Sequence, residues 1–567
     1  MPSFRRPSLA IILLTAMLFV PLAAQQIPLD ALMRGGRIHY EGGRYDRAKE
    51  QFTKALTQYG ATADNVALSQ IEFWLALSDE RLATRAAESV RPGYHKSAAD
   101  HFVTAMEKDT TLAAKIRANE QWQSSSWTAL ISATRESYNA ALSDADTVLQ
   151  RRQLDAALKY ALAALKVDPS KSQTYAFVAN IYSALGRYDD MRATAGDLLK
   201  LDAGAPEALS LLGKYFLQKP DSLWSTKETK AVRWDSAGYY YDAAIASYEK
   251  RFAAAKADLA KQLKLTDPVR LNEVVWRLVE KHRLQDQAEL KRYIEIDLNA
   301  AKQLVEVAQT ANRLSNAADN LNVASSSAGS AMLLAAAETK DTVSARFTAK
   351  AEALFGRAVE YDSSDFASLF NLGIAQYQGK RDSLAERSLQ AVIDVAVVPV
   401  GMLPQPWLDS VLKLVTTTAA ETGYTQVTGL LAAKVDSILV TNGRKSVGYG
   451  WLYFPDLKTR KLTGPATPAD TAGMFLSLGM PRLIEQVYLW LGSSQTGLAT
   501  AMSDAGKKDA AKAGYQRASV NLLIATKIDP NNSDALQNLG ICYRETDQKD
   551  KALKAFEAAD KLRKQGH

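Results

Sequence analysis

The chain has 567 residues, 69 basic and 62 acidic side chains for a formal charge of +7, five His and one Cys. A lone Cys542 excludes a disulfide framework within the chain, and a near-balanced charge spread over this length excludes the concentrated basic face that nucleic-acid binding requires. With 30 Gly and 17 Pro the sequence is poor in turn residues, which points to long helices and few connections.

At the N-terminus, Arg5 and Arg6 precede the apolar run Leu9 to Val20, followed by Pro21-Leu22-Ala23-Ala24 and the polar Gln25-Gln26. This tripartite pattern predicts a secretory signal peptide over 1–24, cleaved near Ala24. The run is shorter than the roughly 20 apolar residues that span a bilayer, so a retained N-terminal membrane anchor is the alternative. No Cys follows the run, which argues against a lipid anchor. No later run reaches membrane-spanning length, so no transmembrane span is expected once the signal is removed. The predicted location is the periplasm or the extracellular space, and the short signal without a cysteine framework favours a bacterial periplasm.

Segment 25–246 reads as repeated helical pairs. Gly36, Ala48, Phe52 and Ala55 flank the turn Gly43-Arg44-Tyr45, and Ala98, Phe102 and Ala105 mark a degenerate second unit. Ala157, Ala161 and Ala164 stand 34 residues ahead of Met191, Ala195 and Leu198, and Tyr175, Ala179 and Tyr182 the same distance ahead of Leu209, Gly213 and Phe216. Small residues at fixed spacing let two helix axes approach, and the large residue between them fills the gap. One such pair leaves most of its apolar face open, so stacking is what buries it.

Segment 247–336 departs from this frame and predicts long helices. Asp267 is placed to cap a helix with Pro268 in its first turn. Leu271, Val274, Val275, Leu278 and Val279 then make one apolar stripe, and Leu290, Ile294, Leu298, Ala301, Leu304, Val305 and Ala308 a second. The expected role of both stripes is packing on each other and on adjoining repeats. Segment 337–398 returns to the repeat, with Ala351, Phe355 and Ala358 leading to Leu369, Leu372, Gly373, Ala385 and Leu389.

Segment 399–492 is punctuated by Pro399, Pro404, Pro406, Pro455, Pro465, Pro468 and Pro481. It predicts an irregular helical pair, over Trp407–Thr418 and Thr425–Val440, and a loop carrying Tyr449, Trp451, Tyr453 and Phe454. That aromatic loop reads first as a plug burying its rings; the alternative is a glycan-stacking site formed by Tyr449, Trp451 and Tyr453. Segment 493–567 repeats again: Gly506, Ala518, Leu522 and Ala525 recur 34 residues later as Gly540, Ala552, Phe556 and Ala559, with Leu539 and Tyr543 completing the second copy.

This Gly/Tyr/Ala/large-apolar/Ala pattern at a 34-residue period resembles the tetratricopeptide repeat. The resemblance implies an all-α fold, an α-solenoid of tetratricopeptide-like helical hairpins with a long helical insertion and an irregular loop-rich segment. It also implies that ligand contacts come from the first helix of each repeat, lining a concave face. The matching positions are Asn180, Lys214, Asn371, Tyr377, Asn538 and Arg544. Asn side chains there offer a donor and an acceptor to an extended peptide backbone.

Signatures of chemistry are not found. His39, His95, His101, His282 and His567 make no metal-ligating helical pair. Gly443 and Gly448 have phosphate-loop separation, but Tyr449-Gly450 stands where Lys-Ser or Lys-Thr is needed. Cys542 sits in a repeat helix, where packing is its expected role. No catalytic residue, metal or cofactor is therefore expected. The sequence predicts a non-catalytic scaffold of the cell envelope that binds a partner protein or peptide; the alternative is a carbohydrate-binding or wall-processing accessory using 449–454. Its oligomeric state is not legible.

Overall fold

The computed structural model describes residues 27–143, 146–224, 230–283, 287–399, 424–427, 450–453, 475–477 and 481–565. The signal peptide expected at 1–24, Tyr449, Phe454 and the helix expected at Trp407–Thr418 lie outside them. The chain divides into two units, Met1–Leu211 and Leu212–His567, and each is built from helical hairpins.

In the first unit the hairpins pair α1 (Leu29–Glu41) with α2 (Tyr45–Tyr59), and α3 (Asn65–Arg85) with α4 (Arg91–Lys108). After the short α5 (Leu112–Arg117), α6 (Glu120–Ser143) pairs with α7 (Thr147–Val167), and α8 (Ser172–Ala184) with α9 (Tyr188–Leu201). Helix α10 (Pro206–Gln218) carries the boundary between the units.

The second unit contains α11 (Lys230–Leu263), α12 (Pro268–Arg283), α13 (Gln287–Arg292) and the 35-residue α14 (Leu304–Glu338), which packs against both α11 and α15 (Asp341–Tyr361). Three hairpins follow: α16 (Phe366–Gln378) with α17 (Asp382–Ala396), α18 (Pro481–Asp504) with α19 (Lys508–Ile528), and α20 (Ser533–Glu545) with α21 (Lys549–Lys564). No described helix is long and apolar enough to cross a membrane.

One contact recurs through the stack. A Cβ on Gly36 would lie 2.5 Å from the Phe52 ring, on Gly373 2.6 Å from Leu389, and on Gly540 2.6 Å from Phe556. The same contact joins Gly213 to Tyr241, Gly329 to Phe355 and Gly492 to Leu522, although the partners there are farther apart in sequence. The first helix bends its backbone onto a large side chain of the second, which only Gly permits. Around these contacts Ala48, Phe52, Ala55, Ala98, Phe102, Ala351, Phe355, Ala358, Ala518 and Leu522 are fully buried.

The turns inside hairpins also share one construction. Arg44, Arg187, Arg381, Lys507 and Gln548 each donate a backbone N–H to the carbonyl five residues earlier, at 2.8–2.9 Å. The residue before each has a left-handed backbone: Gly43, Gly186 and Gly506 at φ +70° to +75°, Asp547 at +64° and Lys380 at +57°. Glycine takes this conformation freely, whereas an L side chain costs about 1–2 kcal/mol there. Lys380 and Asp547 are thus expensive residues at a position that three sister turns fill with Gly.

Two expectations from sequence are corrected. The stripe from Leu290 to Ala308 is not one helix: α13 passes into a π-helical turn, Tyr293–Asp297, then breaks at Asn299 (φ +49°) and resumes through Ala301–Gln303 into α14. Leu290 and Ile294 remain buried while Val305 is 64% exposed, because the break resets the helical phase. The first stripe is as read, with Val274, Val275, Leu278 and Val279 buried and Val269 N–H bonded to Asp267 at 3.0 Å.

The second correction concerns the aromatic loop and the start of the helix expected from Thr425. Between α17 and α18 lies a small antiparallel sheet of β1 (Val397–Pro399), β2 (Tyr424–Val427), β3 (Gly450–Tyr453) and β4 (Phe475–Ser477), in spatial order β1-β4-β3-β2. Trp451 is in register with Gln426 and Ser477, and Tyr453 with Tyr424 and Phe475. The Tyr449-x-Trp451-x-Tyr453 alternation is the period-two signal of a strand, and Tyr424-Thr425-Gln426-Val427 is rich in residues that favour strands.

Candidate partner-binding site

Five of the six sequence-predicted contact residues belong to the second unit, or to the part of α10 within it, and Asn180 to the first. All six lie on first helices: Asn180 on α8, Lys214 on α10, Asn371 and Tyr377 on α16, Asn538 and Arg544 on α20. They are not equivalent. Arg544 is exposed and pairs with its neighbour Glu545 at 2.8 Å. Lys214 is half-buried, and loss of water around it lowers its ammonium pKa. Asn180 is half-buried.

Helix α18 links two of the other three. The Tyr377 ring meets Trp490 edge-on, centroids 5.1 Å apart, and Asn538 Nδ2 donates to Ser493 Oγ at 2.8 Å. Trp490 and Ser493 stand one turn apart on α18, so Tyr377, Trp490, Ser493 and Asn538 form a strip across three successive first helices. Asn371 is half-buried, six residues before Tyr377 on α16, and its side chain makes no hydrogen bond with another described residue. The strip offers a half-buried indole and a phenol, and the helix of Tyr377 adds the Asn371 amide. Burial, with the nearby Asp382 carboxylate, raises the Tyr377 phenol pKa, so it remains a neutral donor.

Trp490 and Ser493 escaped the sequence reading. The signal was present in Gly492, followed by Leu522 as its packing partner, but that spacing is longer than in an ordinary hairpin and α18 begins in the proline-rich segment.

Beneath the strip is a buried polar layer. Glu485, 1% exposed, accepts from Asn532 Nδ2 at 2.5 Å and Gln486 Nε2 at 2.9 Å, and burial raises its carboxyl pKa. Gln495 donates to Glu386 at 3.0 Å and accepts from Asn521 at 2.9 Å. These bonds satisfy polar groups and fix the register between hairpins.

Of the residues considered for chemistry, Cys542 and His101 sit in contacts between helices. Cys542 is buried, contacts Thr496 Oγ1 at 3.3 Å, and burial pushes its thiol up to about 11, far from the thiolate a nucleophile needs. His101 Nδ1 meets Glu72 at 2.5 Å, joining α4 to α3, and desolvation lowers the His95 pKa. The Trp451 and Tyr453 positions proposed for glycan lie in β3.

The tetratricopeptide-repeat family matches residues 30–62, 340–395 and 522–554. No curated protein matches the chain. Among solved structures, a thermophilic tetratricopeptide protein of Thermus thermophilus is 20% identical over 39% of this chain and 91% of its own, with a TM-score of 0.18. The human IFIT1 dimer with m7Gppp-AAAA is 10% identical over 93% of this chain and 88% of its own, TM-score 0.27. YrrB, described as a tetratricopeptide protein with an unusual peptide-binding site, is 16% identical over 45% of this chain and 97% of its own, TM-score 0.15.

Proposed function

We propose that this tetratricopeptide-repeat chain is a non-catalytic scaffold of the bacterial cell envelope, exported by its N-terminal signal, that holds a partner protein or peptide along the first helices of its repeats. The three family matches support a protein-binding role, since such repeats generally mediate protein–protein interaction. The observation that carries the site is the strip Tyr377, Trp490, Ser493 and Asn538, where one large aromatic anchor stands between a phenol and an amide, with Asn371 on the same helix as Tyr377. Half-buried aromatic anchors are where interface energy concentrates. An Asn with both amide functions unused suits the backbone of an extended segment.

The test is site-specific photocrosslinking in cells, with the crosslinker at position 371 or 490 of the tagged chain, and at 523 on α19 as the control. Recovery of the same protein from 371 and 490 but not from 523, lost in a Trp490→Ala variant whose helicity by circular dichroism is unchanged, is the expected result. Capture of no protein from the strip, or equal capture from the control, would overturn the reading. Fractionation of the same cells tests export: a chain found uncleaved in the cytoplasm would remove the envelope assignment and leave the strip.

A further inference from the structure

The turn that places a lysine in a left-handed backbone borders a groove. The end of α14, the first turns of α15 and the turn joining α16 to α17 enclose an open cleft of about 980 Å³, all within the second unit. It is lined by the cations Lys340, Lys380 and Arg381, the polar Ser344, Thr348 and Gln378, and several alanines. No acidic residue is among the described residues lining it.

The three cations differ in what they already hold. Arg381 is engaged by Glu352 of α15, which fixes its guanidinium at the groove edge. Lys340 and Lys380 are exposed, and neither ammonium has an ion-pair or hydrogen-bond partner among the described residues. The hydroxyls are turned to the backbone: Ser344 Oγ donates to Ala336 O at 2.9 Å and Thr348 Oγ1 to Ser344 O at 3.0 Å. Their oxygens remain acceptors, so the free positive charge of the cleft is that of the two lysines.

Lys380 is the informative one. Gly, the unstrained residue here, fills its position in three sister turns, and the fourth has Asp547, whose carboxylate holds Lys512 at 2.8 Å, whereas the Lys380 ammonium has no such partner among the described residues. A side chain retained against backbone preference is an observed outlier from which a function is inferred. Its backbone N–H donates to Tyr377 O at 2.9 Å, as glycine's would, while its side chain lines the groove with no partner among the described residues.

We propose that this groove binds an acidic segment of the partner protein, with Lys340 and Lys380 each meeting a carboxylate. The assignment deepens the protein-binding reading and rests on it. The volume lies at the upper end of ligand clefts and far exceeds what one phosphate fills, while the open cleft admits an extended segment. Arg381, tied to Glu352, shapes the wall and adds a fixed positive edge.

Binding of a fluorescein-labelled hexaglutamate peptide to the purified chain, read by anisotropy at low and at physiological salt, is the first measurement, with hexaglutamine and inorganic tripolyphosphate as comparison ligands. Hexaglutamate should bind and hexaglutamine should not, with roughly tenfold or greater weakening in Lys380→Gly and in Lys340→Glu. Lys380→Gly relieves the left-handed backbone, so its melting temperature should be unchanged or higher while binding falls; a general loss of structure cannot produce that pair of signs. A Lys554→Glu control on α21 should bind as the parent does.

Absence of hexaglutamate binding, or equal binding by the parent and both groove variants, overturns the proposal. Tripolyphosphate binding as tightly as the peptide overturns the peptide assignment in favour of a small-anion site. Crosslinking from position 371 or 490 separates the two levels. Partner capture that persists unchanged in Lys380→Gly removes the groove and leaves the scaffold reading, whereas no capture from the strip removes the scaffold reading itself.

Discussion

At the residue scale, a single aspartate closes many of the links between helices. Asp109 accepts from Thr111 N at 2.9 Å and Thr111 Oγ1 at 2.6 Å, and the same side-chain turn is made by Asp168, Asp202, Asp362 and Asp529. Each of these aspartates also donates its N–H to the carbonyl four residues back, ending the second helix of a pair. An Asx turn needs the short side-chain oxygen that Asp supplies there and that Asn could also supply. Asp109 goes further: Lys115 Nζ lies 2.8 Å from its second oxygen, and that bond with those from Thr111 holds the carboxyl down to about 2. Its folded pKa is below the unfolded one, so the unfolded chain binds more protons between them. The contribution is complete above about pH 4 and is lost as pH falls toward 2. Asp109→Asn should therefore melt lower than the parent at pH 6, with the gap narrowing at pH 2.5. A gap that does not depend on pH would mean the charge contributes nothing.

At the scale of the element, hairpins are joined by a polar side chain on one first helix reaching the start of the next. Asn322 on α14 donates to Ala358 O at 3.1 Å, in the last turn of α15, and to Asp365 Oδ2 at 3.0 Å. Asp365 in turn caps α16 through Ala367 N and Ser368 N. Glu485 on α18 makes the equivalent link with the roles reversed, accepting from Asn532, the cap of α20. Asn322→Leu fits the volume but strips a buried carbonyl and a cap of their donor, a loss of about 1–3 kcal/mol, read by urea denaturation. A loss below about 0.5 kcal/mol would show that water replaces the amide. None of this joinery was legible from sequence, because Asn322 and Glu485 sit in segments whose pattern gives no 34-residue partner. The same gap hid half the glycine contacts. Gly36, Gly373 and Gly540 have their partners at repeat spacing, whereas Gly329 and Gly492 have theirs beyond lengthened helices. It also put the expected segment boundary at 336 within the α14–α15 hairpin. The strip was half visible: Tyr377 and Asn538 follow from the repeat frame, but the Trp490 and Ser493 that connect them require α18 to be recognised as a first helix. The sheet was missed because proline punctuation outweighed the short alternations at 424–427 and 450–453.

At the scale of the whole molecule, stacked hairpins bury their faces mainly against adjacent ones, which makes stability a sum of local and nearest-neighbour terms rather than one cooperative core. The second unit offers a clean place to test this. A Cβ on Gly492 would stand 2.5 Å from Leu522 Cγ and 3.2 Å from the Ala518 carbonyl, between two fully buried residues of α19. The backbone oxygen cannot turn aside as a side chain would, so Gly492→Ala overpacks α18 against α19 by about 1–3 kcal/mol. Helix α18 packs on α17, α19 and α20, and less extensively on α16. Those helices should open more readily, roughly tenfold in amide exchange for each ~1.4 kcal/mol. Hydrogen exchange read by mass spectrometry should then show faster exchange over 366–396 and 481–564, and unchanged protection over 29–201. Accelerated exchange spread evenly through both ranges would mean that the chain unfolds as a single unit, and the nearest-neighbour description would fail. The distinction matters for binding, because a ligand seated on the strip touches α16, α18 and α20 together. In a nearest-neighbour stack its free energy is felt by those hairpins first. The strip would then stabilise the C-terminal hairpins on which it is built, and protection gained there on adding the captured partner would mirror the protection lost in Gly492→Ala.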